Sequence, residues 1–350
     1  MDNPGRISVV DVHIASQKIQ IPPKVYKQNI PLTPGLLERV FQYRQTIINV
    51  LNGTESRLVL FVGPCSIDDP EEAIRYAQWL SKISSEVESK LFLAMRVYIE
   101  KPRSRVGWKG LRRDPNQDGS LDIEKGTELT RRLFRDLTAL GIPIATEFVG
   151  YRTPQYVGDF VSWAAIGART TEAQTHRELA SGLSMPVGFK NTTSGNIDLA
   201  IDSAVAARKE DMFEGIDDDG RATYEFTTGN PNTHIVLRGG KSGPNYDGVT
   251  VSLTKAKLAR EGLQPRLIID CSHDNSQRDY TKQPIVAREV IAQIEREGRD
   301  KSPIFGLMIE SYKEGGNQPI TGTRKGLSKT DGCIDIPTTE QIIKWAYDRL

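Results

Sequence analysis

The stretch AIGARTTEAQTHRELASGLSMPVGFKN, Ala165 to Asn191, decides how the rest of the chain is read. A short apolar run leads to Arg169. A helical middle carries Glu172, His176, Arg177 and Glu178, and a second apolar run ends on Lys190. Parallel barrels and doubly wound sheets set their chemistry at strand ends. Two cations closing consecutive β-segments therefore suggest an anion site, for phosphate or carboxylate. The competing reading is two surface charges on unrelated loops.

Outward from this stretch the same alternation continues in both directions. Apolar runs fall at residues 58–62, 91–97, 142–148, 161–166, 186–189, 234–237, 266–271 and 304–309. Helical patterns fill most of the intervals, at 70–87, 127–140, 171–183, 197–208, 249–261 and 283–296, and a last helix spans 338–350. Eight β-runs with crossover helices are what a (β/α)8 TIM barrel requires, and an α/β barrel is the expected fold class. A doubly wound open sheet is the main competitor, but it normally needs fewer strands. A turn at 217–220 followed by 222–228 reads as a β-hairpin inserted before the sixth barrel strand.

Residues 1–33 form a polar arm with scattered prolines and a β-branched run at 7–12. Such an arm folds over its own domain or over a partner subunit, and regulatory or oligomer contacts are its expected role. Thr33 and Pro34 then open a helix that runs to about Leu51 and stops at Asn52-Gly53. Residues 34–350 are expected to form the catalytic barrel.

A chain of 350 residues is long enough to bury a large core, and its formal net charge of +1 argues against a protein that coats nucleic acid. It holds no apolar run of roughly 18 residues, so no membrane partner is expected. The N-terminal residues lack the basic and apolar regions of a secretory signal, which points to the cytoplasm. Three widely spaced cysteines, Cys65, Cys271 and Cys333, do not make a disulfide framework. Any special cysteine among them is better read as a metal ligand or a nucleophile.

On a barrel, the residues ending the eight runs converge at one mouth. They are Gly63-Pro64-Cys65, Arg96, Glu147, Arg169, Lys190, Arg238, Cys271-Ser272-His273 and Glu310. So many cations need an anionic ligand, or their repulsion is left uncompensated. Lys101 adds a further charge just past the second run, and Arg103 beside Ser104 makes a fork-and-hydroxyl cradle for a second phosphate. Cys65, His273 and Glu310 offer one soft, one borderline and one hard donor, with Asp331 as a fourth. That set suits Mn, Fe, Co or Zn better than calcium or magnesium. Taken singly, Cys65 reads first as a small core residue and His273 as a satisfied polar one; it is their placement together at strand ends that favours ligation. Gly239-Gly240-Lys241-Ser242-Gly243 lacks P-loop spacing and reads as a turn. Trp108 is either a lid over the mouth or a structural anchor.

The chain resembles the type I 3-deoxy-D-arabino-heptulosonate 7-phosphate (DAHP) synthases. The motifs that carry the likeness are Gly63-Pro-Cys-Ser-Ile67, Glu100-Lys-Pro-Arg103 with Gly107-Trp-Lys-Gly110, and Ala145-Thr-Glu-Phe148. It continues through residues 166–191, Leu237-Arg-Gly-Gly240, Asp270-Cys-Ser-His273, Met308-Ile-Glu-Ser311 and Thr330-Asp331. The resemblance implies condensation of phosphoenolpyruvate with erythrose 4-phosphate, the first step of the shikimate pathway, on a (β/α)8 barrel. It implies Cys65, His273, Glu310 and Asp331 as ligands of a divalent metal, with Mn as the first guess. It implies Arg96, Lys101, Arg169, Lys190 and Arg238, with Glu147 and the backbone of Ala168, as the phosphoenolpyruvate site. Arg103 and Ser104 would hold the aldose phosphate; the family often has threonine where Ser104 stands.

For the chemistry, Lys101 is the candidate general acid, with a pKa expected to be lowered by neighbouring cations. Glu147 and His273 are both open as the base that activates water. Family members often bind an aromatic amino acid, and Tyr151, Gly182, Leu183, Ser184, Phe213 and Gly215 match that region. Gly215 stands where tyrosine-sensitive members tend to carry glycine, so tyrosine is the expected effector; Tyr151 and Glu225 replace residues usually apolar there, which leaves a wholly unregulated enzyme as the alternative. A homodimer or homotetramer is expected. The rival readings are another phosphoenolpyruvate-condensing synthase making a longer sugar acid, a Schiff-base aldolase using Lys190, and a non-catalytic binding module.

Overall fold

The strands of this protein read as unbroken apolar runs because both of their faces are covered, as parallel strands in an α/β protein require. The computed structural model describes residues 9–350. The chain begins with an irregular arm, α1 (Pro23–Asn29) and α2 (Pro34–Asn52), followed by β1 (Leu58–Gly63), α3 (Pro70–Val87), β2 (Leu91–Arg96) and α4 (Ile123–Ala139). Next come β3 (Ile144–Glu147), α5 (Thr153–Val157), β4 (Trp163–Ile166), α6 (Gln174–Gly182), β5 (Val187–Lys190) and α7 (Asp198–Ala206). The hairpin β6 (Asp211–Ile216) and β7 (Ala222–Thr227) precedes β8 (Thr233–Leu237), α8 (Gly248–Arg260), β9 (Leu267–Asp270), α9 (Gln283–Glu297), β10 (Ile304–Glu310) and α10 (Ile336–Arg349).

Eight parallel strands close in the order β1-β2-β3-β4-β5-β8-β9-β10, with β10 returning to β1. The chain is a TIM barrel, and the antiparallel β6–β7 hairpin stands outside it. Alternate strand residues face inward: Val59, Phe61, Phe92, Trp163, Ile268 and Phe305 belong to one buried inner cluster. Ile47, Val50 and Leu51 of α2 join that cluster, so α2 plugs the end of the barrel where the strands begin. The opposite end is left for chemistry.

One polar pair sits within the plugged half. Trp163 Nε1 donates to His234 Nε2 at 3.0 Å. Burial pushes the His234 pKa down to about 4, so its ring is neutral at ordinary pH.

Several boundaries differ from the sequence reading for local reasons. Helix α4 begins at Ile123 rather than at 127, because the Asp122 side chain accepts from Lys125 N at 3.2 Å and caps it. Helices α1 and α5 were not anticipated; both are short and carry proline in the first turn. The β-branched run at 7–12 lies partly outside the described residues, and Val10 to Val12 take bend and turn geometry. The arm packs on its own barrel: Lys24 and Lys27 pair with Asp219 and Asp218 in the hairpin turn, and Arg131 of α4 donates to Ile30 O at 2.9 Å. Among the described residues no helix is long and apolar enough to cross a membrane.

Candidate active site at the strand ends

Strand β2 delivers the first cation. Arg96 is its last residue, and Tyr98 follows two positions on, both fully buried. Arg96 NH2 donates to Glu310 Oε1 at 2.8 Å, while its Nε and NH1 find no partner. Lys101 then turns back over β1, its Nζ lying 3.1 Å from both the carbonyl oxygen and Sγ of Cys65. Desolvation disfavours charge on Lys101, but Cys65, Glu310, Asp331 and Glu147 outweigh it and raise its pKa above the ordinary lysine value. The expected lowering is therefore reversed, because the groups closest to Lys101 are donors and acids rather than cations.

Those groups form a candidate metal centre. One ligand atom each from Cys65, Glu310 and Asp331 lie within 4.8 Å of one another. His273 Nε2 approaches from the side, 3.9 Å from Glu310 Oε1. His273, Glu310 and Asp331 line a cavity of about 470 Å³ at the mouth. Burial pushes the Cys65 thiol up to about 11, with Glu310 adding to the effect and Lys101 opposing it. Burial would also raise Asp331, but Lys101, His273, Arg278 and Arg103 hold it below the usual carboxylate range. A thiol, an imidazole and two carboxylates are a donor set that fits a borderline divalent ion, which takes its thiol ligand deprotonated.

Asp270 ends β9 and joins this centre to the next cation. Its Oδ2 lies 3.1 Å from Lys190 Nζ at the end of β5, and 3.0 Å from His273 Nδ1, off the alignment of a hydrogen bond. Burial alone would raise the Asp270 pKa; His273, Lys190 and Arg96 bring it well below the ordinary range. His273 itself is held at φ 56°, a conformation that non-glycine residues adopt mostly where function or tight packing demands it. Arg238 follows β8 and pairs with Asp274. Asn191, one residue past Lys190, accepts from Arg238 N at 2.8 Å and donates to Gly239 O at 2.8 Å, fixing the turn that aims this arginine. The 239–243 segment is that turn, closed by a Gly240–Gly243 bridge.

Glu147, at the end of β3, is buried with Oε1 unpartnered. A Cβ at Gly167 would overlap that oxygen, so glycine there is what lets the carboxylate stand. Ala168 and Arg169 continue from the same loop; Arg169 is exposed and its Nε donates to Ser104 Oγ at 2.7 Å. Arg103 and Ser104 are exposed on the facing loop. Trp108 anchors that loop rather than covering the mouth: it is buried, and its Nε1 donates to Asp114 O at 2.7 Å.

The closed barrel is the one the sequence reading expected, and the comparisons with known proteins agree with that fold. Residues 26–344 match the DAHP synthetase I family. The chain belongs to the DAHP synthetase I family. It is 45% identical over 344 residues, 97% of this chain and 96% of the relative, to the Tyr-sensitive phospho-2-dehydro-3-deoxyheptonate aldolase of Escherichia coli K12. It is 42% identical over 342 residues, 95% and 92% of the two chains, to the tyrosine-inhibited aldolase of Candida albicans. The solved aldolase from Francisella tularensis superposes with a TM-score of 0.93 at 42% identity, covering 96% of this chain and 98% of that one. As a DAHP synthase the chain is an enzyme of aromatic biosynthesis, acting at the first step of the shikimate pathway.

Two residues of this candidate site are not singled out by the sequence reading. Asp270 enters it only inside the Asp270-Cys-Ser-His273 motif, although an acid closing a strand three residues before His273 is a usable signal. Tyr98 shares a face with Arg96 by strand alternation, and nothing else in the sequence marks it.

A second cavity of about 680 Å³ lies between α2, α5, α6 and the hairpin. Gly182, Leu183, Ser184 and Phe213 line it, together with Gln155 and Glu225. Gly215 stands behind this wall: a Cβ there would meet Glu225 Cγ at 2.7 Å and Gln155 Nε2 at 3.4 Å. Tyr151 is not brought to the cavity; it is exposed, with the Arg152 guanidinium 5.3 Å from its ring centre.

Proposed function

We propose that the mouth of this barrel condenses phosphoenolpyruvate with D-erythrose 4-phosphate and water, giving DAHP and phosphate, with the following division of labour. The observation that carries it is the convergence of Arg96, Lys101 and Lys190 above a Cys65–Glu310–Asp331 donor cluster. A carboxylate and a phosphate on one small molecule account for that many converging cations. Arg96, Lys101, Arg169, Lys190 and Arg238 hold phosphoenolpyruvate, aided by Glu147 and the backbone of Ala168. Arg103 and Ser104 hold the aldose phosphate, and the Arg169–Ser104 bond makes the two substrate sites adjoin.

Cys65, His273, Glu310 and Asp331 would hold a divalent ion, Mn being the first candidate. Such an ion supplies Lewis-acid polarisation of the aldehyde carbonyl. Lys101 is the general acid: the anions around it keep it protonated, so its Nζ carries the proton that the developing alkoxide needs. The C–C bond forms between the enol carbon and the aldehyde carbon, water adds to the resulting cationic carbon, and phosphate leaves by C–O cleavage. Glu147, with Oε1 unpartnered, and His273 are the two groups available to take the proton of that water.

The Schiff-base alternative has little support. Burial opposes the charge on Lys190, but Tyr98 and Asp270 raise its pKa, and a protonated, ion-paired amine is a poor nucleophile.

The second cavity is the proposed effector site, with tyrosine as ligand; relatives named Tyr-sensitive and tyrosine-inhibited support that choice. Exposed Val12, Ile14 and Ile19 in the arm, and Tyr224 and Phe226 on the hairpin, support burial between subunits of a homodimer or homotetramer. Residues 1–33 are then the regulatory and contact arm and 34–350 the catalytic unit, in a cytoplasmic enzyme.

Phosphate release by EDTA-stripped protein, with Mn²⁺ added back, tests the central reading. Turnover is expected only with both substrates and metal. Metal-independent turnover would dismiss the four-ligand centre, and a folded protein with no turnover would reject the substrate pair.

A further inference from the structure

Three of the proposed phosphoenolpyruvate cations share one neighbour that no acid accounts for. The Tyr98 ring is fully buried at the floor of the site. Arg96 Cζ lies 4.1 Å from its centroid, Lys190 Nζ 5.6 Å and Lys101 Nζ 5.8 Å. All three fall within the ~6 Å over which a ring face attracts a cation. Among the described residues the hydroxyl, by contrast, reaches only Met308 Sδ, at 3.8 Å, and a thioether is a weak acceptor.

Bringing three like charges together in a dehydrated pocket is unfavourable before any substrate arrives. Arg96 pairs with Glu310, Lys190 pairs with Asp270, and Lys101 lies against Cys65 with Glu310, Asp331 and Glu147 around it. The Tyr98 ring attracts all three toward a common point. It does so without offering an acid that would compete with an anionic substrate for hydrogen bonds. Its backbone is fixed as well, since Tyr98 O accepts from Ile67 N at 2.9 Å in the loop carrying Cys65.

We propose that Tyr98 is a positioning residue whose ring face, rather than its hydroxyl, holds Arg96, Lys101 and Lys190 converged as the receptor for the carboxylate and phosphate of phosphoenolpyruvate. The role rests on the substrate assignment above and adds a specific element to it. The ring touches no reacting atom; it acts through the three cations. Substitution therefore weakens binding of phosphoenolpyruvate while leaving the aldose phosphate, held by Arg103 and Ser104, little affected.

The test is calorimetric titration of the Mn²⁺-supplied enzyme with phosphoenolpyruvate, paired with KM for each substrate. Position 98 is varied as Tyr98→Phe, Tyr98→Leu and a series of mono-, di- and trifluorinated phenylalanines, which drain the ring face of charge with little change in shape. Tyr98→Phe should bind within about twofold of the parent. The Kd should rise stepwise with fluorination to about tenfold, the scale of desolvated cation–ring contacts, with KM for erythrose 4-phosphate steady. A flat fluorination series, or a Tyr98→Phe loss as large as that of Tyr98→Leu, would overturn the proposal. If Tyr98→Leu does not fold, the fluorinated series still decides. Failure of the parent enzyme to bind phosphoenolpyruvate would instead reject the substrate assignment, and this role with it.

Discussion

Replacing Asp270 by asparagine removes one charge from a site where three groups depend on it. The carboxylate is fully buried, 3.1 Å from Lys190 Nζ and 3.0 Å from His273 Nδ1, and its Oδ1 accepts from Ser272 N at 3.0 Å. Asparagine keeps the volume but leaves Lys190 buried without its ion-pair partner. Breaking a buried pair from one side costs about 3–5 kcal/mol, and the low end applies because Lys190 can release its proton. With an unfolding entropy of about 2.1 cal/mol/K per residue over 350 residues, ~3 kcal/mol corresponds to about 4 °C in Tm. At the same time His273 loses the group that orients its ring, a change that typically costs ~10–100-fold in metal affinity. Competition with a fluorescent chelator measures the second effect and thermal melts the first. The pH dependence adds a signature. Asp270 has a depressed folded pKa, so its contribution is present above the unfolded value of about 3.9 and is lost as pH falls through the lower folded value. Asp270→Asn should lack that part of the acid loss. Unchanged Mn²⁺ affinity together with an unchanged phosphoenolpyruvate KM would refute the bridging role.

Three further outcomes are expected. Gly167→Ala places a methyl on Glu147 Oε1; because the obstructed atom is the end of a side chain, stability should fall by less than ~2 kcal/mol. Phosphoenolpyruvate KM or kcat should nevertheless worsen about 100-fold, on the scale of a misplaced catalytic group, which steady-state kinetics would detect. Gly215→Ser pushes a side chain against Glu225 and Gln155, so tyrosine inhibition should weaken at least tenfold in a titration with uninhibited kcat unchanged. His234, neutral in the fold with a pKa of about 4 against ~6.5 unfolded, should cost the protein about 2.5 kcal/mol between pH 7 and pH 4.5. Its sign is fixed: the unfolded chain binds the proton that the fold refuses, so stability falls with pH. Urea melts of the parent and of His234→Gln at the two pH values would show the difference, and equal slopes would contradict it.

The barrel was readable because its strands are covered on both faces and so appear as continuous apolar runs, each closed by a charged or special residue. Elements of a few residues were not readable. Helices α1 and α5 span 7 and 5 residues, too short for a helical period to show, and they are held by contacts such as Arg131 to Ile30 O and to Tyr156 O. The same division runs through the site. Arg96, Lys101, Glu147, Lys190 and Glu310 announce themselves, since a charge at the end of an apolar run has few ordinary explanations. What keeps those charges apart or together is a property of their spacing in three dimensions. Expecting neighbouring cations to lower the Lys101 pKa gave the wrong direction, because the groups that act on it come from the loop after β1, from β3 and β10, and from the loop carrying Asp331. Asp270 and Tyr98 escaped for a related reason. One looks like an ordinary strand-end acid and the other like an ordinary core aromatic. Each acquires a role only when the closed barrel sets Lys190, from a strand some ninety residues beyond Tyr98 and eighty before Asp270, between them. A receptor for a small dianion therefore needs barrel closure before it needs any one of its cations. A variant that keeps every charged residue but loosens the β5–β8 pairing at Lys190 and Val236 should lose phosphoenolpyruvate affinity before it loses secondary structure.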